Sequence, residues 1–285
     1  MALGEITFKA LQPDSQLGPE VQTKLALLEN WYLQQKQVLS AISGGVDSCL
    51  ASFLGRKFLG KENAIGVISN SESLKSADFE IACGFCRDHD ITLEVIKTNE
   101  LDDPNYLTNP INRCYFCKSS LYLHLHALID TRYAGFKIIN GNNASDLSDY
   151  RPGMQAADEQ SILSPFVACG VTKNDIREIA YFYNLKVWNK PASPCLSSRF
   201  PYGQAITRES LSQVEQAEKV LNNYGFDEVR VRNFNNTAKI EVPTDFLTAL
   251  RTKFAQINEE ILQLGFTSCT IDNEGLISGK LNKLI

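Results

Sequence analysis

Three groups of residues in this chain have types and spacings that can do chemistry. The run Ser43-Gly44-Gly45-Val46-Asp47-Ser48 follows a short apolar stretch, Val38 to Ile42, and opens a helical pattern from Val46 to about Leu59. A strand-to-helix junction leaves backbone N–H groups free beside the positive end of a helix, which suits a phosphate. The two glycines let the backbone approach phosphate oxygens, Ser43 and Ser48 add hydroxyls, and Asp47 can act through a metal ion or cap the helix. The run has no lysine, unlike the Gly-x4-Gly-Lys-Ser/Thr loop. Gly55 to Glu62 nearly spells that other loop, but it has glutamate at the last position and closes a helix. No Gly-x-Gly-x-x-Gly is present, so nicotinamide-dependent hydride transfer has no support.

The second group is cysteine, with eight residues beside only three histidines. Cys114 and Cys117 form a Cys-x-x-Cys at the start of a helix, a position expected to lower thiol pKa and suited to metal ligation. Cys195 stands in Ser193-Pro194-Cys195, where proline stiffens the turn and limits the freedom of the sulfur. Cys83 and Cys86 repeat the spacing, but among Ile81, Ala82 and Phe85 they read as packing, as do Cys49, Cys169 and Cys269. His124 and His126, two apart on a helix, cannot share a face, and His89 near a helix end reads as a favourable charge placement. The third group is Arg230 and Arg232, which share one strand face and can meet a phosphate or carboxylate in a forked geometry. A solvated strand face is the alternative for that pair.

These residues need elements to hold them. Apolar runs at Val38–Ile42, Ala64–Ser69, Ile91–Ile96 and Phe136–Asn140 alternate with helical patterns at 46–59, 76–89 and 115–129. That alternation predicts an α/β fold with a parallel sheet covered on both faces, and ligands at the carboxyl ends of its strands. Those ends are polar: Ser43-Gly44-Gly45, Ser69-Asn70-Ser71, Lys97-Thr98 and Asn140-Gly141-Asn142-Asn143. Tyr150 to Ser198 is turn-rich around one helix, 173–183, and the boundary between two domains, 1–195 and 196–285, is expected at its end, near 190–205. The smaller C-terminal domain reads as α-β-β-α-β, with helices at 208–224 and 245–264.

The composition bounds the function. A chain of 285 residues is long enough for about two domains, and a charge of −5 argues against a protein built to coat nucleic acid. No run of about 18 apolar residues suggests a membrane span, so a cytoplasmic setting is expected, where metal or sulfur chemistry outranks disulfides.

The Ser-Gly-Gly-Val-Asp-Ser loop resembles that of the PP-loop ATP pyrophosphatases. Cys114 to Tyr122, Gly141-Asn142-Asn143-Ala144-Ser145-Asp146, Asp149-Tyr150-Arg151-Pro152-Gly153, Ser193 to Arg199 and Val229 to Arg232 follow in that order. Together they resemble the LarE family of ATP-dependent sulfur transferases over nearly the whole chain. The resemblance implies adenylation of a pyridinium-3,5-biscarboxylic acid mononucleotide by ATP with Mg²⁺, pyrophosphate release and conversion of carboxylates to thiocarboxylates for a nickel-pincer cofactor. It implies an ATP site at Ser43, Gly44, Gly45, Val46, Asp47, Ser48 and Ser69, with Gly141 and Asp146 over the adenosine and Mg²⁺. Arg151 and Lys118 are expected to face the pyrophosphate, and Lys118, Arg199, Arg230 and Arg232 are the residues expected to bind the mononucleotide. Asp47 and Cys195 are the expected catalytic residues.

Two sulfur mechanisms stand open. Cys195 gives up its own sulfur once, or Cys114, Cys117 and Cys195 hold a [4Fe-4S] cluster whose open iron takes sulfide repeatedly, with a structural zinc site as a third option. The resemblance also implies a homo-hexamer and a separate sulfide donor. A tRNA thiolase of the same superfamily and a non-catalytic nucleotide sensor are the rival readings.

Overall fold

The computed structural model describes residues 16–148, 152–277 and 279–280. Asp149, Tyr150 and Arg151 lie outside the described residues. The expected parallel sheet is present, built from β1 (Val38–Ala41), β2 (Ala64–Ser69), β3 (Thr92–Ile96) and β4 (Lys137–Ile139) in the order β3-β2-β1-β4. Val38 pairs with Ala64 on one side and with Lys137 on the other. β2 reads Ala-Ile-Gly-Val-Ile-Ser and is buried at its first five positions, as a strand covered on both faces must be.

Helices α1 (Pro19–Gln35), α2 (Val46–Leu59), α3 (Ser76–Asp88), α4 (Pro104–Leu107), α5 (Arg113–Thr131), α6 (Pro152–Glu159), α7 (Pro165–Ala168) and α8 (Lys173–Phe182) complete this part. One core gathers Tyr32, Leu50, Leu54, Phe166 and Ile176 on one face of the sheet. The other face packs Leu39, Ile65 and Val67 against Tyr122 and Leu125 of α5 and Ala156 of α6. α4, α6 and α7 open on proline, and the sequence pattern reads the stretch that holds α6 and α7 as turn-rich. Proline needs no hydrogen-bond acceptor at a first helical position and already has helical φ there, so it starts helices as readily as it breaks them.

The chain moves from β1 outward to β3, then returns to lay β4 on the other side of β1. That reversal opens a crevice beyond the carboxyl ends of β1 and β4, the place where doubly wound sheets bind ligands. The loop after β1 is 42–45 and the loop after β4 starts at Asn140, so the topology itself brings these two polar segments together.

The C-terminal part has the expected order: α9 (Arg208–Asn223), β5 (Arg230–Phe234), β6 (Thr237–Glu241), α10 (Leu247–Gln263) and β7 (Ser268–Ile271). β5 and β6 form an antiparallel hairpin, and Asn235 and Asn236 turn it with φ of 47° and 69°. Paired positive φ values match the twist of a hairpin, and asparagine tolerates them better than other side chains. β7 joins β6 in parallel. A separate apolar cluster runs from Leu196 to Phe266, and Leu101 of the first part packs against it. Among the described residues, no helix is long and apolar enough to cross a membrane.

Candidate active site

The phosphate-type loop is tied by its own serines. Ser43 N–H donates to Ser48 Oγ at 3.0 Å, and Ser48 Oγ donates to the Gly45 carbonyl at 3.2 Å. Gly44 has φ +74°, and a Cβ there would drive into the Asp78 carbonyl oxygen. Gly141 lies flat on the same loop, where a Cβ would stand 2.7 Å from Ser48 N. These two glycines are required by close backbone approach. Asn143 Nδ2 donates to Asp47 Oδ1 at 3.2 Å, and the buried Asp146 carboxylate accepts the Asn143 N–H at 3.0 Å. Ser69 Oγ shares a 2.6 Å hydrogen bond with Thr98, which donates in turn to buried Glu100.

Two lysines that the sequence reading passes over reach this loop. Lys173, at the first turn of α8, pairs with Asp47 Oδ2. Lys190 donates to the Gly44 carbonyl at 2.7 Å and to Asp78 Oδ1 at 2.5 Å. The loop lacks a lysine of its own, and the fold supplies two from 126 and 146 positions away. The capping box of Thr172 and Asp175 fixes where α8 starts and therefore where Lys173 projects. That Thr-x-x-Asp signal is visible in the sequence, but nothing local ties it to residue 47.

The first turns of α5 and the Pro194-Cys195 turn bring Cys114, Cys117 and Cys195 within electrostatic reach of one another. Cys114 is an exposed residue, while Cys117 and Cys195 are half-buried. The expected lowering of the Cys114 and Cys117 thiols is corrected. Desolvation around the sulfur pushes both up, even though Cys114 is exposed as a residue; the nearby Cys195 adds to it, and Lys118, with Arg113 at Cys114, pulls the other way without prevailing. For Cys117 the buried Glu100 contributes as well. Desolvation here outweighs the helix N-terminus. Burial alone pulls the Lys118 ammonium down, but Tyr122 and the three thiols more than offset it. Among the described residues Lys118 has no hydrogen-bond or ion-pair partner. Gly153 of α6 packs against its stem, where a Cβ would stand 3.2 Å from Lys118 Cγ.

The turn carrying Cys195 is clamped from both parts of the molecule. Leu196 N–H donates to the Ser73 carbonyl at 2.8 Å, and Arg113 donates to the Ser197 carbonyl at 3.0 Å. Tyr106 and Ser197 share a 2.5 Å hydroxyl contact. Arg199 donates to the Pro194 carbonyl at 2.9 Å while pairing with Glu218 at 2.7 Å, and it is 1% exposed. Arg232 pairs with Glu241 at 2.9 Å and donates to the Ser198 carbonyl. Arg199 and Arg232 are therefore committed to carboxylates and to the turn itself.

Arg230 differs. It is 7% exposed, yet among the described residues it has no hydrogen-bond or ion-pair partner. Burial, with Arg232 and Arg199 beside it, pulls its pKa down from the ordinary value. The solvated-face alternative for Arg230 and Arg232 is thus corrected: both are buried. Arg230 lines a cavity of about 290 Å³ with Lys75, Asp78, Lys190, Arg199 and Glu218. A buried guanidinium with no internal acceptor is stabilised by an anion. A larger cavity of about 430 Å³ lies between Phe85 and Val187 and contains none of the thiols.

The packing readings for the remaining cysteines hold for Cys49 and Cys86, which are buried. His89 is corrected: burial lowers its pKa, and its ring packs on Phe53 and Phe85 rather than carrying charge at a helix end. His124 Nδ1 and His126 Nε2 donate separately to the Ser120 and Gln160 carbonyls.

For an iron–sulfur group the donor chemistry is suitable, with three thiols in mutual electrostatic reach beside an unpaired lysine. Their side chains do not close on a common point. Among the described residues no three His, Cys, Asp or Glu side chains are arranged to hold a metal ion.

Comparison with known proteins places these features in context. The family model described as NAD synthase matches residues 28–105, which include the loop and β1 to β3. An uncharacterised protein of Synechocystis is 39% identical over 267 residues, covering 93% of this chain and 99% of that protein. Pyridinium-3,5-bisthiocarboxylic acid mononucleotide synthase of Lactiplantibacillus plantarum is 32% identical over 260 residues, 91% of this chain and 94% of its own. An uncharacterised protein of Methanocaldococcus jannaschii is 29% identical over 241 residues, 85% of this chain and 91% of its own.

Proposed function

The chain belongs to the LarE family of ATP-dependent sulfur transferases, and from that premise we propose that it converts carboxylates of a pyridinium-3,5-biscarboxylic acid mononucleotide to thiocarboxylates. The observation that carries this reading is that Cys114, Cys117 and Cys195 lie within electrostatic reach of one another beside an unpaired Lys118. Such a grouping has no purpose in a nucleotide sensor.

A carboxylate is a poor electrophile. Its oxygen attacks the α-phosphorus of ATP, pyrophosphate leaves, and the acyl-adenylate can then be opened by sulfur. In this reading the N–H groups of 43–48, with Lys173 and Lys190, take up the charge on the departing pyrophosphate. Asp47 and Asp146 would hold Mg²⁺, which neutralises phosphate charge when bound. Arg230 takes an anionic group of the mononucleotide, and Arg199 and Arg232 hold the Cys195 turn against it. Cys114, Cys117 and Cys195 would hold a [4Fe-4S] cluster, which when bound supplies an iron free of protein ligands for hydrosulfide.

A second reading is favoured by the three thiols' not closing on a common point. Here the Cys195 thiolate displaces AMP to form a thioester. Loss of the Cα proton then breaks the Cβ–S bond, releasing the thiocarboxylate and leaving dehydroalanine. Anaerobic purification with iron and sulfide analysis, repeated on Cys114→Ala, decides between them. Iron in the wild type that is lost in the variant, with repeated turnover, supports the cluster. An iron-free protein that works once per chain and loses sulfur mass at Cys195 supports the sacrifice. Absence of thiocarboxylate in both would sink the proposal. A cytoplasmic homo-hexamer fed by a sulfide donor completes it.

A further inference from the structure

The segment 73–78 at the head of α3 touches both halves of the site. On one side the Asp78 carbonyl oxygen is packed against Gly44 so closely that no side chain fits between them. On the same side Lys190 bridges the Gly44 carbonyl, at 2.7 Å, and Asp78 Oδ1, at 2.5 Å. On the other side Asp78 Oδ2 accepts the Ser193 hydroxyl at 2.6 Å, two residues before Cys195. The Ser73 carbonyl accepts the Leu196 N–H, one residue after it. The side chains of Asp78 and Lys190 are 7% and 16% exposed, so this bridge is not a loose surface pair.

We infer that Asp78 is a positioning residue that couples occupancy of the phosphate loop to the placement of the Cys195 thiol. The inference rests on reading 43–48 as the phosphate loop. A ligand shifts a conformational balance only through contacts that differ between the two states. Lys190 supplies that difference. In the free loop its ammonium is divided between a neutral carbonyl and the Asp78 carboxylate. A phosphate at the loop offers a stronger, charge-assisted acceptor. As Lys190 turns to it, the Asp78 carboxylate loses its cation and is left with the Ser193 hydroxyl. Lys190 and Ser193 are joined by Pro191 and Ala192, a short stiff link, so displacement at one end is passed to the other. The chemistry needs such a link, because sulfur released before adenylation is wasted.

The test uses magnesium pyrophosphate, which fills the loop without covering Cys195 as a nucleotide would. The rate of Cys195 alkylation by iodoacetamide, read by peptide mass mapping, should change about fivefold or more when pyrophosphate saturates the wild type. Asp78→Asn keeps an acceptor for Ser193 but loses the charge, and Ser193→Ala cuts the link on the cysteine side alone. In both variants the rate should respond by less than about twofold, while calorimetric pyrophosphate affinity in Ser193→Ala stays within about threefold of wild type. An undiminished response in Ser193→Ala, or no response in a wild type that binds pyrophosphate, overturns the coupling. A wild type that binds no pyrophosphate overturns the phosphate-loop reading as well, so the two failures are told apart.

Discussion

Lys173 stands 126 residues from Asp47 in the chain, yet its ammonium closes on the Asp47 carboxylate at the first turn of α2. The loop has no lysine of its own, and this pair puts one at its entrance. Both side chains are partly exposed, at 34% and 24%, so the pair adds about 0–1 kcal/mol to stability. Lys173→Ala should therefore melt close to the wild type but lose about tenfold or more in substrate-dependent pyrophosphate release. A variant that melts far below the wild type would give Lys173 a structural role instead.

Gly44 and Gly141 are closed to any side chain. Gly44→Ala meets both a positive φ of +74° and the Asp78 carbonyl. It should cost about 1–3 kcal/mol in urea unfolding and abolish nucleotide binding. Gly141→Ala pushes on Ser48 N and should weaken nucleotide binding in the same titration. Gly170, with open space around its missing Cβ, is the control for positive φ without a clash.

The Arg199–Glu218 pair predicts how stability varies with pH. Burial raises the Glu218 carboxyl, but Arg199 and Lys75 outweigh it, so the folded pKa lies below the ordinary 4.5. A carboxyl depressed on folding contributes stability that is complete above its unfolded pKa and is lost as pH falls through the folded value. Unfolding free energy should therefore drop below about pH 4.5, and Glu218→Gln should flatten that part of the curve. Arg199→Met leaves the buried carboxylate without its main partner and should cost about 3–5 kcal/mol at neutral pH. A loss below 1 kcal/mol would refute the buried-pair reading.

Thiol reactivity separates the cysteines. Burial pushes Cys86 and Cys269 up to about 12, and Cys49 higher still. At pH 8 these thiols stay protonated, and in the folded protein they should alkylate slowly. Time-resolved mass mapping should show the exposed Cys114 modified well before the buried Cys49 and Cys86. Equal rates would contradict the packing described for α2 and α3.

The sequence by itself determined the sheet and the loop. Alternating apolar runs and helical spacing are local signals of burial. A Gly-Gly pair between a strand and a helix has few physical explanations. The α-β-β-α-β order of the C-terminal part was legible for the same reason. Helix α6 was hidden because proline at its first position looks like a break. Its Gly153, read as a turn residue, instead lets the helix lie flat on Lys118.

Only the tertiary structure decided which charges are spent and which are free. Arg199, Arg230 and Arg232 look alike in the sequence. Glu218 and Glu241 neutralise two of them, and the third faces a cavity with no partner among the described residues. Lys173 and Lys190 carry no local mark of the loop they serve. Likewise, the start of a helix suggested low thiol pKa values at Cys114 and Cys117, and burial reversed the sign. Lys173 and Lys190 reach the loop from 126 and 146 positions away, and Arg199 and Arg232 find their carboxylates 19 and 9 positions on; each neighbour is in place only once the chain has folded.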